Sequence, residues 1–366
     1  SAASDVYKRQ EQARSEFETV LTLKPGDPAT HLNIARLDLR EGNAVGASTQ
    51  LQKALEADPD NLAASLGMAA VAQAQGDREQ SERWLKKAKE NHPESLQASL
   101  ALTQFYLVSR DFGKAGTEAD AIVATRPDSA VAWNRLGLAR LGSGDLDGAT
   151  EGFGSAVKRS PRTNSYRLNL ARAHSLAGRQ EEALRVVDEA IAEFPGDLSA
   201  LALAASVALK AGEVERATEY VALVRKAAPD ASGTMRLEGD LALAQKRYKD
   251  AARSYSKASQ AGRDRRLTIA EYRAGTLGKV AQPQRPLEEW LEIHPDDAAI
   301  RVLLAEYLVN AGESDAANVE YERALAADST NVVALNNLAV LYQLQGDDRA
   351  LTTAERAYSI APDNAA

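Results

Sequence analysis

Proline recurs at a fixed interval through the first two thirds of the chain. It occupies positions 25, 59, 93, 127, 161, 195 and 229, which are six successive intervals of 34 residues. A fixed period of this length is typical of repeat proteins, in which small units bury their apolar faces against their neighbours. Because 366 residues exceed what one hydrophobic core normally serves, the choice lies between several domains and a repeat array. The period favours the array.

The composition indicates that the repeats are helical. Apolar residues make up 44% of the chain and are mostly Ala and Leu, aromatic residues make up 5%, and strand-type runs of Val, Ile and Thr are scarce. No apolar run is long enough to cross a membrane. Cysteine is absent, so its usage does not indicate a compartment. We therefore expect an all-α chain without a transmembrane segment.

Counting three residues beyond each proline predicts ten repeats, starting at 28, 62, 96, 130, 164, 198, 232, 264, 298 and 332. The eighth position is small in most repeats, as at Gly137, and the twentieth is often alanine, as at Ala149, so we expect the two helices of a repeat to cross there. The fifteenth position is usually glycine, as at Gly144 and Gly278, which supplies the left-handed conformation that ends a first helix. Aspartates just after it can cap the second helix. These are Asp77, Asp111, Asp145 and Asp347.

The best-preserved repeat resembles the tetratricopeptide repeat signature. The residues that carry the resemblance are Trp133, Leu136, Gly137, Gly144, Ala149, Phe153, Ala156 and Pro161. The resemblance covers residues 28–366, and a half repeat in residues 11–27 is expected to form a second helix only. It implies an all-α, right-handed superhelical solenoid of helix-turn-helix repeats, with a concave groove lined by first helices. Such a groove binds peptide segments of partner proteins.

Both ends of the chain depart from the period. Residues 1–10, SAASDVYKRQ, place Lys8 and Arg9 where a glycine turn is expected. This segment resembles translated read-through of a sequencing adapter, so we expect it to be non-native and the true N-terminus to be missing. The chain stops at residues 363–366, just after a repeat boundary and without a polar capping helix. We therefore expect it to be a fragment of a longer protein.

No group of side chains predicts catalysis. The sequence has no Gly-rich phosphate loop after a strand, no HExxH and no GxSxG. The four histidines fall at unrelated positions of the period: His31, His92, His174 and His294. We expect no enzymatic activity, no metal and no cofactor.

Candidate partner-binding residues come from the first helices. Some tetratricopeptide proteins hold a C-terminal carboxylate with a lysine at the fifth position of a repeat, and no fifth position here is lysine. Asparagines recur on the first helices instead, and they either hydrogen-bond a peptide backbone or simply face water. They are Asn33, Asn134, Asn169, Asn336 and Asn337.

Charge divides the later repeats. Residues 232–287 carry twelve basic and five acidic residues, a net of +7, whereas residues 298–366 carry four basic and ten acidic, a net of -6. The basic segment favours an acidic partner or an anionic polysaccharide, with Arg236, Arg265 and Arg266 as candidate contacts, and a solvated face is the open alternative. Nucleic acid is not expected, because interleaved aromatic residues are few and the whole chain is acidic.

The same segment interrupts the period. The seventh repeat is two residues short, Glu271 stands at the predicted crossing position, and Pro283 stands where alanine is expected. Pro286 predicts a shortened second helix ahead of Trp290. We expect a kink or a change of superhelical pitch near residues 263–287.

At a finer level, the repeats resemble the large tetratricopeptide-repeat lipoprotein of bacterial exosortase/PEP-CTERM systems. The resemblance is carried by phrases such as LALAASVALKAGEVERA (201–217) and ALNNLAVLYQLQGDDRAL (334–351). It implies a non-catalytic envelope scaffold associated with exopolysaccharide production and PEP-CTERM protein sorting, periplasmic and tethered to the outer membrane in the full-length protein. A cytoplasmic location stays open. So do two other functions, a scaffold for export of a cellulose-like polysaccharide and a regulatory array of a larger enzyme such as a glycosyltransferase.

Overall fold

Helices make up the secondary structure of this protein. The structure, a computed structural model, describes residues 2–362 and the side chains of residues 10–362. It consists of two compact halves, residues 1–186 and 187–366. Over the described residues the chain forms 21 helices and no strand, so the predicted all-α solenoid of helix-turn-helix repeats is confirmed. No helix in this described part is both long and apolar enough to span a membrane.

Ten helices are the first members of helical hairpins. In the N-terminal half they are α2 (Pro28–Arg40), α4 (Leu62–Ala74), α6 (Leu96–Val108), α8 (Ala130–Gly142) and α10 (Asn164–Leu176). In the C-terminal half they are α12 (Leu198–Ala211), α14 (Ser232–Ala244), α16 (Arg265–Leu277), α18 (Ala298–Asn310) and α20 (Val332–Gln345).

The remaining helices are second members or precede the first hairpin. In the N-terminal half they are α1 (Ala2–Leu23), α3 (Ala44–Ala57), α5 (Arg78–Asn91), α7 (Phe112–Thr125) and α9 (Leu146–Arg159). The helix α11 (Gln180–Glu193) includes the boundary between the halves. In the C-terminal half they are α13 (Val214–Ala227), α15 (Tyr248–Ala261), α17 (Arg285–Ile293), α19 (Ser314–Ala327) and α21 (Arg349–Ile360).

The helix α1 is continuous through the segment that was expected to be non-native. Lys8 and Arg9 lie inside it rather than in a turn, and the helix ends at Leu23. Arg14 pairs with Asp38 at 3.0 Å, which attaches α1 to α2. The origin of residues 1–10 stays a prediction, and Ser1 and residues 363–366 lie outside the described residues.

Each first helix is followed by one residue in the left-handed conformation, fourteen positions after the first residue of that helix. Seven of these residues are glycines: Gly42, Gly76, Gly144, Gly178, Gly212, Gly312 and Gly346. The other three are Arg110, Lys246 and Lys279, with φ between 50° and 60°. Helix packing therefore imposes this turn even where the residue is not glycine.

This spacing corrects the prediction for the eighth hairpin. Its first helix begins at Arg265 rather than at residue 264, because the side chain of Asp264 caps it by accepting from the Leu267 amide at 2.8 Å. Gly278 has φ -80°, so its predicted left-handed role was wrong, and Lys279 has that role instead. Glu271 consequently moves from the eighth to the seventh position of its hairpin, and Tyr272 lies at the crossing position.

Predicted caps hold at three of four second helices. Asp77, Asp111 and Asp145 each accept a hydrogen bond from the backbone amide three residues later. The prediction for Asp347 was wrong, because Asp348 is the residue that precedes α21, and Asp347 instead binds the side chain and amide of Arg349.

The close helix crossing is best seen between α8 and α9. A Cβ atom at Gly137 would lie 2.7 Å from the Phe153 ring, and one at Gly152 would lie 2.8 Å from the Gly137 nitrogen. Ala149 and Phe153 are fully buried there. The two backbones therefore touch at Gly137, as predicted, and Gly152 is a contact that the sequence pattern did not reveal.

The irregular hairpin has a short second helix. The helix α17 has nine residues with Pro286 in its first turn, whereas α13, α15 and α19 have fourteen. This confirms the shortened helix predicted from Pro286. The kink expected near residues 263–287 stays a prediction.

Candidate functional site

Several first helices contact one another directly within each half. In the N-terminal half α2, α4, α6 and α8 contact one another in sequence, and in the C-terminal half α12 contacts α14. We call the exposed sides of the first helices, taken in each half separately, the first-helix face. It carries most of the candidate residues predicted from the sequence.

A cavity opens between α4 and α6 in the N-terminal half. It measures ≈ 210 Å³, with Leu66 and Phe105 among its apolar lining residues and Gln73 and Gln104 among its polar ones. Ser81 of α5 also lines it, is 1% exposed, and has no hydrogen-bond partner for its Oγ among the described residues. A buried hydroxyl without a partner costs free energy, so the cavity contains a polar group that a ligand can satisfy.

Sequence reasoning missed this cavity. Leu66 is at the fifth position of its hairpin and Gln104 at the ninth, and in the sequence the fifth position suggests a binding site only where it is lysine. The signal that could have found it is the pairing of apolar fifth positions with polar ninth and twelfth positions on adjacent first helices.

Two predicted asparagines meet on adjacent first helices. Asn169 of α10 donates from Nδ2 to Oδ1 of Asn134 on α8 at 3.0 Å, and Arg172 donates to Oδ1 of Asn169 at 3.3 Å. Arg135, next to Asn134, is half-buried and has no ion pair among the described residues, and burial lowers its pKa while Tyr166 opposes the shift. This row of amide and guanidinium groups can bind the carbonyl oxygens of a peptide.

The other predicted asparagines have local roles. Asn33 accepts a hydrogen bond from Arg36 at 3.2 Å, and Asn337 donates to the Tyr321 hydroxyl at 3.0 Å. Asn336 lies beside Asn337 on α20 and is half-buried. The structure therefore distributes these residues along both halves instead of collecting them at one point.

A half-buried carboxylate, Asp240, lies on α14 at a position that the sequence pattern did not reveal. Tyr255 of α15 crosses α14 at Gly239, where a Cβ atom would lie 2.5 Å from its ring, and its hydroxyl donates to Asp240 at 2.8 Å. Arg236, a predicted contact residue, pairs with Asp240 at 3.5 Å. Burial raises the pKa of Asp240, although the Tyr255 hydrogen bond and Arg236 act in the opposite direction.

The two predicted arginines of α16 differ from each other. Arg265 pairs with Asp297 at 3.0 Å, and Asp297 in turn caps α18, so Arg265 connects two hairpins. Arg266 is exposed and has no ion pair among the described residues. A charge reversal at Arg265 would therefore disturb folding as well as binding.

The four histidines belong to four different hairpins. Across the residues whose side chains are described, no three His, Asp or Glu side chains are grouped as metal ligands would be. His174 is half-buried on α10. Burial lowers its pKa, with Arg179 acting in the same direction, and its Nδ1 has no hydrogen-bond partner in the described part of the chain.

Stacked helical hairpins of 34 residues define a helical-repeat protein, and family comparison identifies the repeat. Tetratricopeptide repeat models match residues 38–102, 134–197 and 202–265, together just over half of the chain. The chain belongs to the tetratricopeptide repeat superfamily. Repeats of this family indicate a scaffold for protein interaction and are typically non-catalytic.

Solved structures show the same fold. A tetratricopeptide repeat protein from Parabacteroides merdae ATCC 43184 is 19% identical, with a TM-score of 0.53, and the match covers 69% of this chain and 97% of that chain. A human IFIT1 dimer with m7Gppp-AAAA is 14% identical, with a TM-score of 0.51, and the match covers 97% and 95%. No curated protein matches the chain significantly.

Proposed function

We propose that this chain is a non-catalytic scaffold whose first-helix face binds peptide segments of partner proteins. The observation that carries the proposal is the cavity between α4 and α6, where the buried Ser81 hydroxyl lacks a partner. An apolar side chain of the peptide fits between Leu66 and Phe105, while its backbone satisfies Ser81. This combination of apolar walls and one buried polar group is typical of ligand sites.

The row Asn134, Asn169 and Arg172 extends this interaction along the same half. Side-chain amides bind peptide backbone without regard to sequence, because every peptide unit offers both a donor and an acceptor. The cavity then supplies selectivity for an apolar anchor, and the amides supply affinity. A partner segment bearing one exposed apolar side chain within a polar sequence meets both requirements.

For the setting, we propose the bacterial cell envelope. The support is the resemblance of residues 201–217 and 334–351 to the envelope scaffold of exopolysaccharide and PEP-CTERM systems. In that setting the full-length protein is periplasmic and tethered to the outer membrane, and its partners are proteins of polysaccharide production or protein sorting.

The experiment uses the absence of cysteine in the chain. Gln104→Cys places the only thiol on α6 at the cavity, and Ala124→Cys places one on the exposed side of α7 as the matched control. Each variant carries a thiol-linked photo-crosslinker and is mixed separately with envelope and cytosolic fractions of a related bacterium.

We expect partner peptides to crosslink at residue 104 and not at residue 124, and to come from the envelope fraction. Equal crosslinking at the two positions would contradict the first-helix face as the binding surface. Specific crosslinking from the cytosolic fraction alone would retain the scaffold and remove the envelope setting.

A further inference from the structure

The shortened α17 leaves part of α15 uncovered. Elsewhere, ion pairs join neighbouring second helices side by side, as Lys89 of α5 does with Glu118 of α7, and Arg349 of α21 with Glu322 of α19. Because α17 begins only at Arg285, the corresponding stripe of α15 faces a cavity of ≈ 820 Å³ instead of a helix. The stripe consists of Lys249, Arg253, Ser256 and Gln260, spaced four, three and four residues apart.

The chain between α16 and α17 holds this cavity open. Two of its residues, Lys279 and Gln282, adopt left-handed conformations with φ 50° and 52°, which are unfavourable for residues other than glycine. The Val280 amide donates to the Gly275 carbonyl at 2.9 Å, and a Cβ atom at Gly275 would lie only 3.3 Å from Pro283. Strain of this kind persists where the surrounding structure imposes it, so the cavity has a defined wall.

The cavity is cationic at its rim. Among its acidic lining residues, Glu289 is held by Arg263 and Arg285, each at 2.7 Å. Burial alone would raise the pKa of Glu289, but these two arginines lower it. This carboxylate is therefore ionised, and the two arginines balance its charge. Lys249 and Lys279 are exposed and have no ion pair among the described residues, which leaves two ammonium groups for an anionic ligand.

A buried carboxylate forms part of the same cavity. Glu271 is 9% exposed and occupies a position that Leu304 and Leu338 fill in the next two hairpins. Ser259 donates to its Oε2 at 3.0 Å, which is the one hydrogen bond that this side chain makes within the described residues. A buried carboxylate needs more than one donor. The other oxygen of Glu271 has no donor within the described residues, so a ligand that brings a hydrogen-bond donor as well as negative charge fits this cavity better than a plain inorganic anion does.

We propose that this cavity binds an acidic peptide segment of a partner protein. Side-chain carboxylates of the segment pair with Lys249 and Lys279, and its backbone N–H donates to the free oxygen of Glu271. The volume lies within the range of about 300–1,000 Å³ that ligand sites occupy. This second site is formed by α15, α17 and the chain before α17, together with Glu271 and Gly275 of α16. It shares no lining residue with the cavity between α4 and α6, so it does not depend on the peptide-binding role proposed there.

The test measures fluorescence anisotropy with a labelled peptide of alternating glutamate and alanine. The reference probe replaces each glutamate with glutamine, and unlabelled oligogalacturonate and inorganic phosphate serve as competitors. The double variant Lys249→Glu with Lys279→Glu replaces both ammonium groups of the cavity with carboxylates. The matched control, Lys226→Glu with Lys257→Glu, makes the same change in net charge at two exposed lysines outside the cavity. A neutral variant, Ser256→Trp, fills the cavity.

We expect the glutamate peptide to bind, the glutamine peptide not to bind, and the cavity charge reversal to weaken binding about tenfold, since two close charge pairs become repulsive. The control should stay within about twofold, and Ser256→Trp should weaken binding while circular dichroism shows an intact fold. If both charge-reversed proteins lost peptide affinity equally, the peptide would be attracted by the overall positive charge of the region and not by the cavity, which would overturn the proposal. Absence of binding to the unsubstituted chain, or displacement of the peptide by oligogalacturonate or phosphate at equal charge concentration, would overturn it too.

Discussion

Gly152→Ala tests whether the backbones of α8 and α9 touch. The added Cβ would lie 2.8 Å from the Gly137 nitrogen, 2.9 Å from the Gly137 Cα and 3.2 Å from the Trp133 carbonyl oxygen. Ordinary contact begins at 3.4 Å, so the helices must separate by about 0.6 Å. All three contacts are with backbone atoms, which cannot rotate away as a side chain does.

The expected magnitude follows from two opposing terms. Overpacking a tight contact costs about 1–3 kcal/mol, and the upper end applies here because backbone meets backbone. Alanine in place of glycine inside a helix contributes about 1 kcal/mol of stability. Gly152→Ala should therefore lower the free energy of unfolding by about 2 kcal/mol.

Gly154→Ala is the matched control on the same helix. A Cβ atom there has nothing within 4 Å, so only the helix-propensity term acts and stability should rise by about 1 kcal/mol. Urea unfolding followed by circular dichroism compares the variants, and hydrogen exchange of α8 and α9 reports local opening. If Gly152→Ala proved as stable as Gly154→Ala, the close-contact reasoning would be refuted.

Four further substitutions test backbone strain and half-buried ionisable groups. Arg110→Gly and Lys246→Gly relieve left-handed residues, so each should raise the free energy of unfolding by about 1 kcal/mol in urea titrations, and an unchanged midpoint would contradict the strain. Burial raises the folded-state pKa of Asp240. The contribution of Asp240 to stability is therefore present at pH below its unfolded-state pKa and is lost as pH rises through its folded-state pKa. Asp240→Asn should remove that loss in melting curves taken from pH 4 upward, and a wild-type pH slope in this variant would exclude the assignment. Burial lowers the folded-state pKa of His174, so the contribution of this residue to stability is present at pH above its unfolded-state pKa and is lost as pH falls through its folded-state pKa. His174→Phe should therefore make the melting temperature less dependent on pH across that range. If the pH dependence persists in this variant, another group causes it.

The regular hairpins were predictable because their turn residues act locally. Gly144 needs only its own backbone freedom to end α8, and Asp145 needs only the amide three residues later to cap α9. Signals of this kind depend on a few neighbouring residues, so a single sequence reveals them. The turn glycines and capping aspartates therefore predict where the helices begin and end.

The eighth hairpin was misaligned by one residue for the same reason. Gly278 looks like the expected turn residue, but helix packing places the left-handed conformation at Lys279. One residue of register rotates a side chain by about 100° around a helix, so Glu271 was assigned to the crossing instead of to the leucine position. Only the packing against α15, visible in three dimensions, resolves the register.

The candidate sites depend on contacts between hairpins, which the period does not encode. Ser81 looks like an ordinary residue of α5 in the sequence, and only its position under α4 and α6 makes its hydroxyl buried and unpartnered. Asp240 becomes notable only because Tyr255 reaches it across α14. The predicted pair Asn134 and Asn169 meets because the two residues lie on the first helices of successive hairpins, one position apart in register.

The nine-residue α17 also has a consequence for how folding is shared along the C-terminal half. In a linear array of hairpins, the free energy of unfolding is approximately the sum of each hairpin's own stability and of the contacts between neighbouring hairpins. The short α17 weakens the packing of its hairpin against both neighbouring hairpins, which contain α15 and α19. We therefore expect the hairpins on either side of α17 to unfold partly independently of each other, so that cooperative unfolding is interrupted at this hairpin.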